Sequence, residues 1–268
     1  MNREGETKDM FFRKMLSALF PKRYHPYWKL RRLIETATNG VVLSGPFQGL
    51  SLPPKETFDA YYPKILGTYE LELHAIVKEI ISSDFAAVIN IGAAEGYYAC
   101  GFAAAIPSVQ VTAFEAVVRG RYLLQGTVDR NGLSGRVIVK GFCDSDELDI
   151  CLSAARGSVL VVCDAEGYEY ELLDPERVMR LGRAAILVEV HDFAMDGLSE
   201  LLKQRFSKSH IIEEVHPGPR RREDFPIKVA RMRWIPDRYF NSFTSDNRPQ
   251  DNFWLWMLPS QMHSLAAG

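Results

Sequence analysis

The sequence predicts an α/β fold in which a largely parallel sheet is covered by helices on both faces. From Ala87 to Phe206, short apolar runs alternate with helical patterns, which is typical of strands joined by right-handed helical crossovers. Two of the runs, Val159–Cys163 and Ala184–Val190, are apolar at nearly every position, as expected of strands buried on both faces. A glycine-containing turn separates the first run from the next helical pattern, so backbone N–H groups are predicted to face a ligand there.

Size and composition are those of an ordinary globular protein. The 268 residues fit one large domain with an N-terminal extension, and 47% of them are apolar and 25% charged. The net charge of −2 gives no general attraction to nucleic acid, so no nucleic-acid partner is expected. No apolar run reaches the roughly 18 residues that a membrane-spanning helix needs. We therefore expect a cytoplasmic protein without a transmembrane segment, and leave homo-oligomerisation open.

The cysteine pattern agrees with that location. Four cysteines lie in or beside predicted strands and helices, and no two form a C-x-x-C pair: Cys100, Cys143, Cys151 and Cys163. Such spacing favours reduced, mostly buried thiols over disulfides or a zinc site.

The first 38 residues are basic and helical in pattern. Apolar side chains recur there at three- and four-residue steps, and Pro21 and Pro26 divide the region into two pieces. We interpret it as helices packed on the domain, on a partner or at a substrate entrance, with a membrane-surface helix as the alternative. Short strands and a turn are predicted from Gly40 to Leu52, and a loop or short helix from Phe58 to Lys64.

The later elements follow from apolar periodicity bounded by turn residues. The predicted helices are Leu66–Ile81 with Thr68 as N-cap, Tyr97–Ala105, Gly120–Asn131, Asp146–Ala155, Tyr168–Met179 and Leu198–Phe206. The predicted strands between them are Val109–Phe114, Arg136–Gly141, Val159–Cys163 and Ala184–Val190. A terminal antiparallel pair is predicted from Ile211–Val215 and Phe253–Leu258. The loop between these last two strands carries three arginines, interpreted as an exposed basic loop or as a grip for an anionic substrate: Arg220, Arg221 and Arg222.

The glycine turn lies in the stretch V-I-N-I-G-A-A-E-G-Y-Y, residues 88–98. Gly92 lets the chain turn where a Cβ would clash, and Gly96 lets the following helix pack close to the strand. About 20 residues further on, Glu115 stands at the tip of the next strand, where such folds bind a ribose hydroxyl pair. A solvated carboxylate is the alternative for Glu115. Together the two features predict a dinucleotide or adenosyl ligand.

Four stretches in this order resemble class I S-adenosylmethionine-dependent methyltransferases. They are V-I-N-I-G-A-A-E-G-Y-Y, V-T-A-F-E-A, V-L-V-V-C-D-A-E-G-Y-E-Y-E-L-L and I-L-V-E-V-H-D. Within them, D-A-E-G-Y-E followed by V-E-V-H is similar to the FkbM-like methyltransferases. The resemblance covers residues 66–193, with F-W-L-W-M-L-P as the expected final strand. It implies a Rossmann-like, doubly wound sheet of seven strands with an antiparallel last strand, and methyl transfer, often to oxygen.

The resemblance also implies where the cofactor, S-adenosylmethionine, would bind. The loop Gly92, Ala93, Ala94, Glu95 and Gly96 would hold its methionine part, Glu115 with the adjacent Ala116 its ribose, and Cys143 with Asp144 the adenine edge. For Asp144, a helix N-cap is an equal alternative. Two residues depart from the family pattern. Ala94 occupies the middle glycine position, and Asn90 replaces an acid, so Asn90 can accept a hydrogen bond from the ligand amino group but brings no charge.

The catalytic residues are expected at the neighbouring strand ends. Asp164 ends the fourth strand and should face the transferred methyl group, with a helix cap as the alternative. Glu189 and His191 lie two apart on one strand and therefore point to the same side, from which His191 could take a proton from an acceptor hydroxyl. Glu166 and Glu169 fall in the first turn of the next helix, where they are expected to offset its dipole. Asp164, Glu189 and Asp192 are a candidate set for Mg²⁺.

These expectations give a domain division and three functional hypotheses. Residues 1–65 are predicted to form a helical and hairpin cap on the acceptor side, which includes the tyrosine pair Tyr61–Tyr62, and residues 66–268 the methyltransferase domain. The leading hypothesis is O-methylation of a small-molecule or sugar hydroxyl. The first alternative is a catalytically inactive methyltransferase-like binding module, favoured by Asn90 and Ala94. The second is a nicotinamide-dependent oxidoreductase, for which the glycine turn and Glu115 would also serve.

Overall fold

The computed structural model of the chain describes residues 25–228, 234–246 and 252–262. The basic helical pattern predicted before residue 25 lies outside these ranges, so that prediction is not addressed by the structure. Among the described helices, none is both long and apolar enough to cross a bilayer.

The described strands form one seven-stranded sheet. They are β1 (Phe85–Ile91), β2 (Gln110–Phe114), β3 (Val137–Lys140), β4 (Ser158–Cys163), β5 (Ala185–Val190), β6 (His210–Val215) and β7 (Phe253–Pro259). Their order is β3-β2-β1-β4-β5-β7-β6. The first five strands pair in parallel, whereas β7 is antiparallel to both β5 and β6. The predicted Rossmann-like fold class, with its terminal antiparallel pair, is confirmed.

Helices cover both faces of the sheet. They are α1 (Pro26–Thr38), α2 (Tyr61–Leu66), α3 (His74–Ser82), α4 (Tyr97–Ala105), α5 (Val118–Arg130), α6 (Ser145–Ala154), α7 (Glu169–Leu172), α8 (Leu198–Phe206) and α9 (Asp237–Thr244). Two clusters of buried apolar side chains result, one on each face, and β1 contributes to both because its side chains alternate. Val88 lies in one cluster and Ile89 in the other.

The predicted helix from Leu66 to Ile81 is wrong in its first half. Gly67 ends α2 in the left-handed conformation at φ +75°, and a Cβ there would lie 1.9 Å from the backbone oxygen of Ser44. The chain then passes through a single 3₁₀ turn and becomes α-helical only at His74. Thr68 is therefore not an N-cap, and its buried hydroxyl donates instead to the Thr244 carbonyl at 3.1 Å.

The helix predicted from Tyr168 to Met179 is also too long. Helix α7 is a single turn that ends at Leu172, and a 3₁₀ turn follows at Met179–Arg183. Pro175 explains the break, because a proline disfavours helical geometry in the residue before it. The short helix leaves the segment after β4 free to fold back over the ends of the strands.

The N-terminal part packs against the end of the chain. Tyr27 of α1 stacks on Phe243 of α9 with ring centroids 4.8 Å apart. The strands predicted from Gly40 to Leu52 are reduced to one antiparallel bridge, Val41 to Ser51. The arginine loop is not wholly exposed as expected, because Arg220 is buried between Glu72, at 2.8 Å, and Asp246, at 3.3 Å. These ion pairs give Arg220 a structural role.

The order of the strands in the sheet reverses direction at β1. Strands β2 and β3 extend to one side of β1 and β4 and β5 to the other, so a crevice opens at the carboxyl ends of β1 and β4. The candidate site lies at this edge of the sheet.

Candidate functional site

A cavity of about 380 Å³ lies outside the carboxyl ends of β1, β2 and β4. Six of the predicted site residues line it: Gly92, Ala94, Glu115, Ala116, Cys143 and Asp164. Its volume is within the range of small-molecule sites, and its walls are mainly apolar with a few polar groups. These predicted residues therefore meet at one cavity, and their role in binding a ligand stays a prediction.

The glycine turn has the tight geometry that its sequence predicted. Gly92 has φ +76°, and a Cβ on it would lie 1.7 Å from the backbone oxygen of Asp164. A Cβ on Gly96 would lie 2.6 Å from Leu124, so Gly96 allows close packing against helix α5, whereas the sequence predicted close packing against the strand. Ala94 also adopts the left-handed conformation, at φ +47°, so the loop keeps its shape without the middle glycine.

Glu115 fastens this loop. Its two carboxylate oxygens each accept a backbone N–H at 2.8 Å, one from Ala94 and one from Val117. The side chain is mostly buried while it still lines the cavity, so the solvated-carboxylate alternative is wrong. Because an oxygen has two lone pairs, both oxygens retain an acceptor position for a ligand hydroxyl.

Asn90 is buried at the end of β1. Its amide nitrogen donates to the Val162 carbonyl at 3.4 Å, and its Oδ1 has no hydrogen-bond partner within the described part of the chain. Asn90 lines a side cavity of about 30 Å³ that shares Gly92, Ala94 and Asp164 with the main cavity. A buried carbonyl oxygen without a partner is costly, which fits an acceptor position for a ligand N–H.

The two neighbouring residues that follow β3, Cys143 and Asp144, have different surroundings. Cys143 lines the cavity, and burial, the largest effect, raises the pKa of its thiol to about 12. Asp144 is exposed and does not line it, because its carboxylate accepts the Glu147 N–H at 2.9 Å as the N-cap of α6. The helix-cap alternative for Asp144 is the one that the structure shows.

His191 is the centre of the polar end of the site. It is buried just beyond β5, and its Nδ1 lies 2.8 Å from Oε1 of Glu169. The same Glu169 oxygen accepts the Ala165 N–H at 2.9 Å, and the Glu169 side chain is completely buried. Sequence reasoning gave Glu169 only a dipole role, although it is the last residue of D-A-E-G-Y-E. Its position in that motif is the sequence signal that could have identified Glu169 as a site residue.

Carboxylates surround the other imidazole nitrogen. Nε2 of His191 lies 3.6 Å from Asp164 Oδ1 and 3.9 Å from Glu189 Oε2, so the predicted same-side arrangement of Glu189 and His191 is present. Exposed Glu166 approaches to 3.8 Å. Burial lowers the pKa of His191, but the Glu169 hydrogen bond and the charges of Glu169, Glu189 and Asp164 outweigh it and raise the pKa to about 9.

The predicted Mg²⁺ set does not assemble. Both Asp192 oxygens accept hydrogen bonds from Ser199, from its N–H at 2.8 Å and its hydroxyl at 2.7 Å, so Asp192 fastens the start of α8. Within the described residues, the group whose ligand atoms lie within 4.8 Å of one another is Asp164, Glu166 and His191. This mixed nitrogen and oxygen set could hold a divalent cation, but it lacks the all-oxygen donors that Mg²⁺ prefers.

Sequence reasoning missed Lys64. It lies in α2, and its Nζ is 2.6 Å from Oε1 of Glu95 in the glycine loop. Both side chains are buried, and the ammonium group lies 4.7 Å from the ring centre of Tyr69. Glu95 therefore pairs with the N-terminal segment rather than facing the main cavity. No local pattern around Lys64 indicates this pairing, because 31 residues separate the partners.

Comparisons with known proteins were made for the whole chain. No protein-family model and no curated protein sequence matches it. Similar solved structures include the human methyltransferase 10 domain containing protein, at 16% identity and TM-score 0.47 over 87% of this chain and 96% of that one. An rRNA methylase from Streptococcus thermophilus matches at 12% identity and TM-score 0.46 over 70% and 96%. A proposed O-methyltransferase from Klebsiella pneumoniae matches at 14% identity and TM-score 0.43 over 92% and 95%.

The arrangement determines what the site can do chemically. Identities and TM-scores this low carry no argument about activity. The residues of the site are therefore the evidence for its chemistry. The glycine loop and Glu115 line the cavity together, which suits a ligand that carries hydroxyl groups. Asp164 and Glu166 also line it and lie 3.6 and 3.8 Å from the buried imidazole of His191, and their carboxylates suit a cationic group.

Proposed function

We propose that the protein is an S-adenosylmethionine-dependent methyltransferase of the FkbM-like kind that methylates a hydroxyl of a small molecule or sugar. The observation that carries the proposal is the 380 Å³ cavity at the switch point of the sheet, which is lined by the glycine loop, Glu115 and Asp164, with Nε2 of the buried His191 3.6 Å from Asp164 Oδ1. The motif resemblance supports the choice of cofactor.

Each of the residues around the cavity would bind a different part of the cofactor. Glu115 would accept hydrogen bonds from ribose hydroxyls, and Cys143 would contact the edge of the base. Asn90 would accept a hydrogen bond from the amino group. The carboxylate of Asp164 would stabilise the positive sulfonium, because opposite charges attract strongly in a partly buried site.

The bound cofactor would supply a methyl group on positively charged sulfur. Protein residues would position the acceptor hydroxyl and remove its proton. His191 is suited to that task because Glu169 fixes its ring through Nδ1, while Nε2 lies 3.6 Å from Asp164, a residue that lines the cavity. Nε2 of His191 would accept the proton of the acceptor hydroxyl, and the residues of the cavity would hold the acceptor close to the methyl group that the cofactor supplies. Proximity and proton removal are the two contributions that the protein makes.

The proposal is tested with a transfer assay. Radiolabelled S-adenosylmethionine is incubated with a panel of hydroxylated small molecules and sugars, with and without a divalent cation, and labelled product is measured. We expect transfer to at least one hydroxyl acceptor and a loss of about 100-fold or more for His191→Gln. Full transfer activity in the His191→Gln variant would contradict the role of His191. Transfer to nitrogen or carbon acceptors only would contradict the acceptor class.

A further inference from the structure

The side cavity beside the glycine loop has a chemistry that the proposed function leaves unexplained. Its walls come from the end of β1, the start of α4 and helix α2 of the N-terminal part. At about 30 Å³ it has room only for the polar end of a ligand, and it shares Gly92, Ala94 and Asp164 with the main cavity. A ligand that occupies the main cavity could therefore place one end group here.

Two polar groups in this side cavity have unused hydrogen-bonding capacity. Asn90 Oδ1 is a buried acceptor without a partner in the described ranges. Lys64 carries three N–H donors, but its ammonium group makes one hydrogen bond within those ranges, to Glu95. The ammonium group also lies near the ring centres of Tyr69 at 4.7 Å, Phe58 at 5.5 Å and Tyr97 at 5.9 Å. Aromatic faces stabilise the ammonium group but accept no conventional hydrogen bond.

These groups are complementary to an α-amino acid. A carboxylate could bind the Lys64 ammonium and the N-terminus of α4, which begins at Tyr97 on the same wall and carries partial positive charge. The neighbouring amino group could donate to Asn90 Oδ1, with Asp164 adding negative charge nearby. The small size of the side cavity excludes bulkier end groups.

We propose that Lys64 is a specificity residue that selects ligands ending in an α-amino carboxylate. The inference rests on the proposed function, in which that end belongs to the cofactor. It also assigns α2 to the cofactor side of the site, in addition to the acceptor-side role predicted for residues 1–65. The Lys64–Glu95 pair would remain in the complex, since a second N–H of Lys64 is available for the ligand.

The test compares two ligands that differ only at this end. S-adenosylhomocysteine has the amino-acid end, and 5′-methylthioadenosine lacks it; both are titrated calorimetrically into the full chain. For Lys64→Met we expect S-adenosylhomocysteine to bind about 10- to 100-fold more weakly, as for one lost charge-assisted hydrogen bond, and methylthioadenosine to bind as before. Lys55→Met is the matched control, because Lys55 also contacts a carboxylate and a tyrosine ring, 3.7 Å from Glu35 and 4.8 Å from the Tyr62 ring centre.

A second variant separates recognition from folding. Lys64→Met leaves the buried Glu95 without its cation, so Lys64→Met with Glu95→Gln removes both charges, and Glu95→Gln alone keeps the lysine. We expect the double variant to show the same selective loss and Glu95→Gln to retain the preference for S-adenosylhomocysteine. Equal weakening of both ligands, or no weakening, in the folded double variant would overturn the proposal. Failure of both ligands to bind the unaltered protein would instead refute the proposed function, and the inference with it.

Discussion

Replacing Glu169 with glutamine tests the polar centre of the site without knowledge of the acceptor. The substitution keeps the size and one oxygen of the side chain but removes the charge that lies 2.8 Å from His191 Nδ1. Glu169 provides the largest effects that raise the pKa of His191, while burial lowers it. We therefore expect the pKa of His191 to fall clearly below 9 in Glu169→Gln, with the charges of Glu189 and Asp164 still raising it against burial.

The consequence at neutral pH is large. With a pKa of about 9, imidazolium outnumbers imidazole about thirtyfold at pH 7.5, and this ratio should fall in the variant. The titration is followed in the imidazole resonances of the NMR spectrum, and the signal absent from His191→Gln identifies the residue. Glu171→Gln is the matched control, since Glu171 is on the same short helix and pairs instead with Arg177, at 3.4 Å.

Two results would refute this reasoning. A pKa near 6.5 in the unaltered protein would show that the carboxylates do not dominate the electrostatics of the site. An unchanged pKa in a folded Glu169→Gln variant would show that Glu169 is not the partner of His191.

Three further predictions follow from the same contacts. Gly92→Ala should lower the free energy of unfolding by about 2–4 kcal/mol, because the new Cβ clashes with Asp164 and the backbone is left-handed. Gly40→Ala is the control: its backbone is also left-handed, but nothing lies within 4 Å of the new Cβ, so only the backbone strain should appear. Chemical denaturation compares the two variants. Asp192→Ala should lower the free energy of unfolding by about 1 kcal/mol through the lost hydrogen bonds with Ser199 and leave cofactor affinity unchanged. A weaker affinity for the cofactor would show that Asp192 contributes to the binding site. In the transfer assay, kcat/KM should rise with pH and level off near pH 9, since the neutral form of His191 accepts the proton, and a flat pH–rate profile would contradict the assignment. The contribution of His191 to the free energy of unfolding should be present in full below pH 6.5 and should be lost as the pH rises through 9.

The sheet could be predicted because its signals are local. Each strand is a continuous apolar run bounded by turn residues, and alternation with helices fixes the parallel connections. The antiparallel last strand came from the family resemblance and from the change of pattern after Phe206. The cavity followed in turn, since the chain must open a crevice where the strand order reverses.

What the sequence did not reveal depends on contacts distant along the chain. The break at Gly67 is caused by the Ser44 backbone, which no periodicity within residues 66–81 can show. The Lys64–Glu95 pair joins α2 to the glycine loop, and the Glu169–His191 pair joins two segments that follow different strands. Glu166, whose backbone is left-handed at φ +52°, lies 3.8 Å from His191 where Asp192 had been expected, and a left-handed residue of this kind has no signal in the apolar periodicity.

Thermal unfolding with and without S-adenosylmethionine, S-adenosylhomocysteine and NAD tests the central claim most directly. At a hundredfold excess over its dissociation constant, a ligand adds about 2.7 kcal/mol to the free energy of unfolding and raises the midpoint by several degrees. The account predicts that both adenosyl compounds raise the midpoint and that NAD does not. A rise with NAD alone would favour the oxidoreductase alternative, and no rise with any of the three would contradict the cofactor site and favour a binding module.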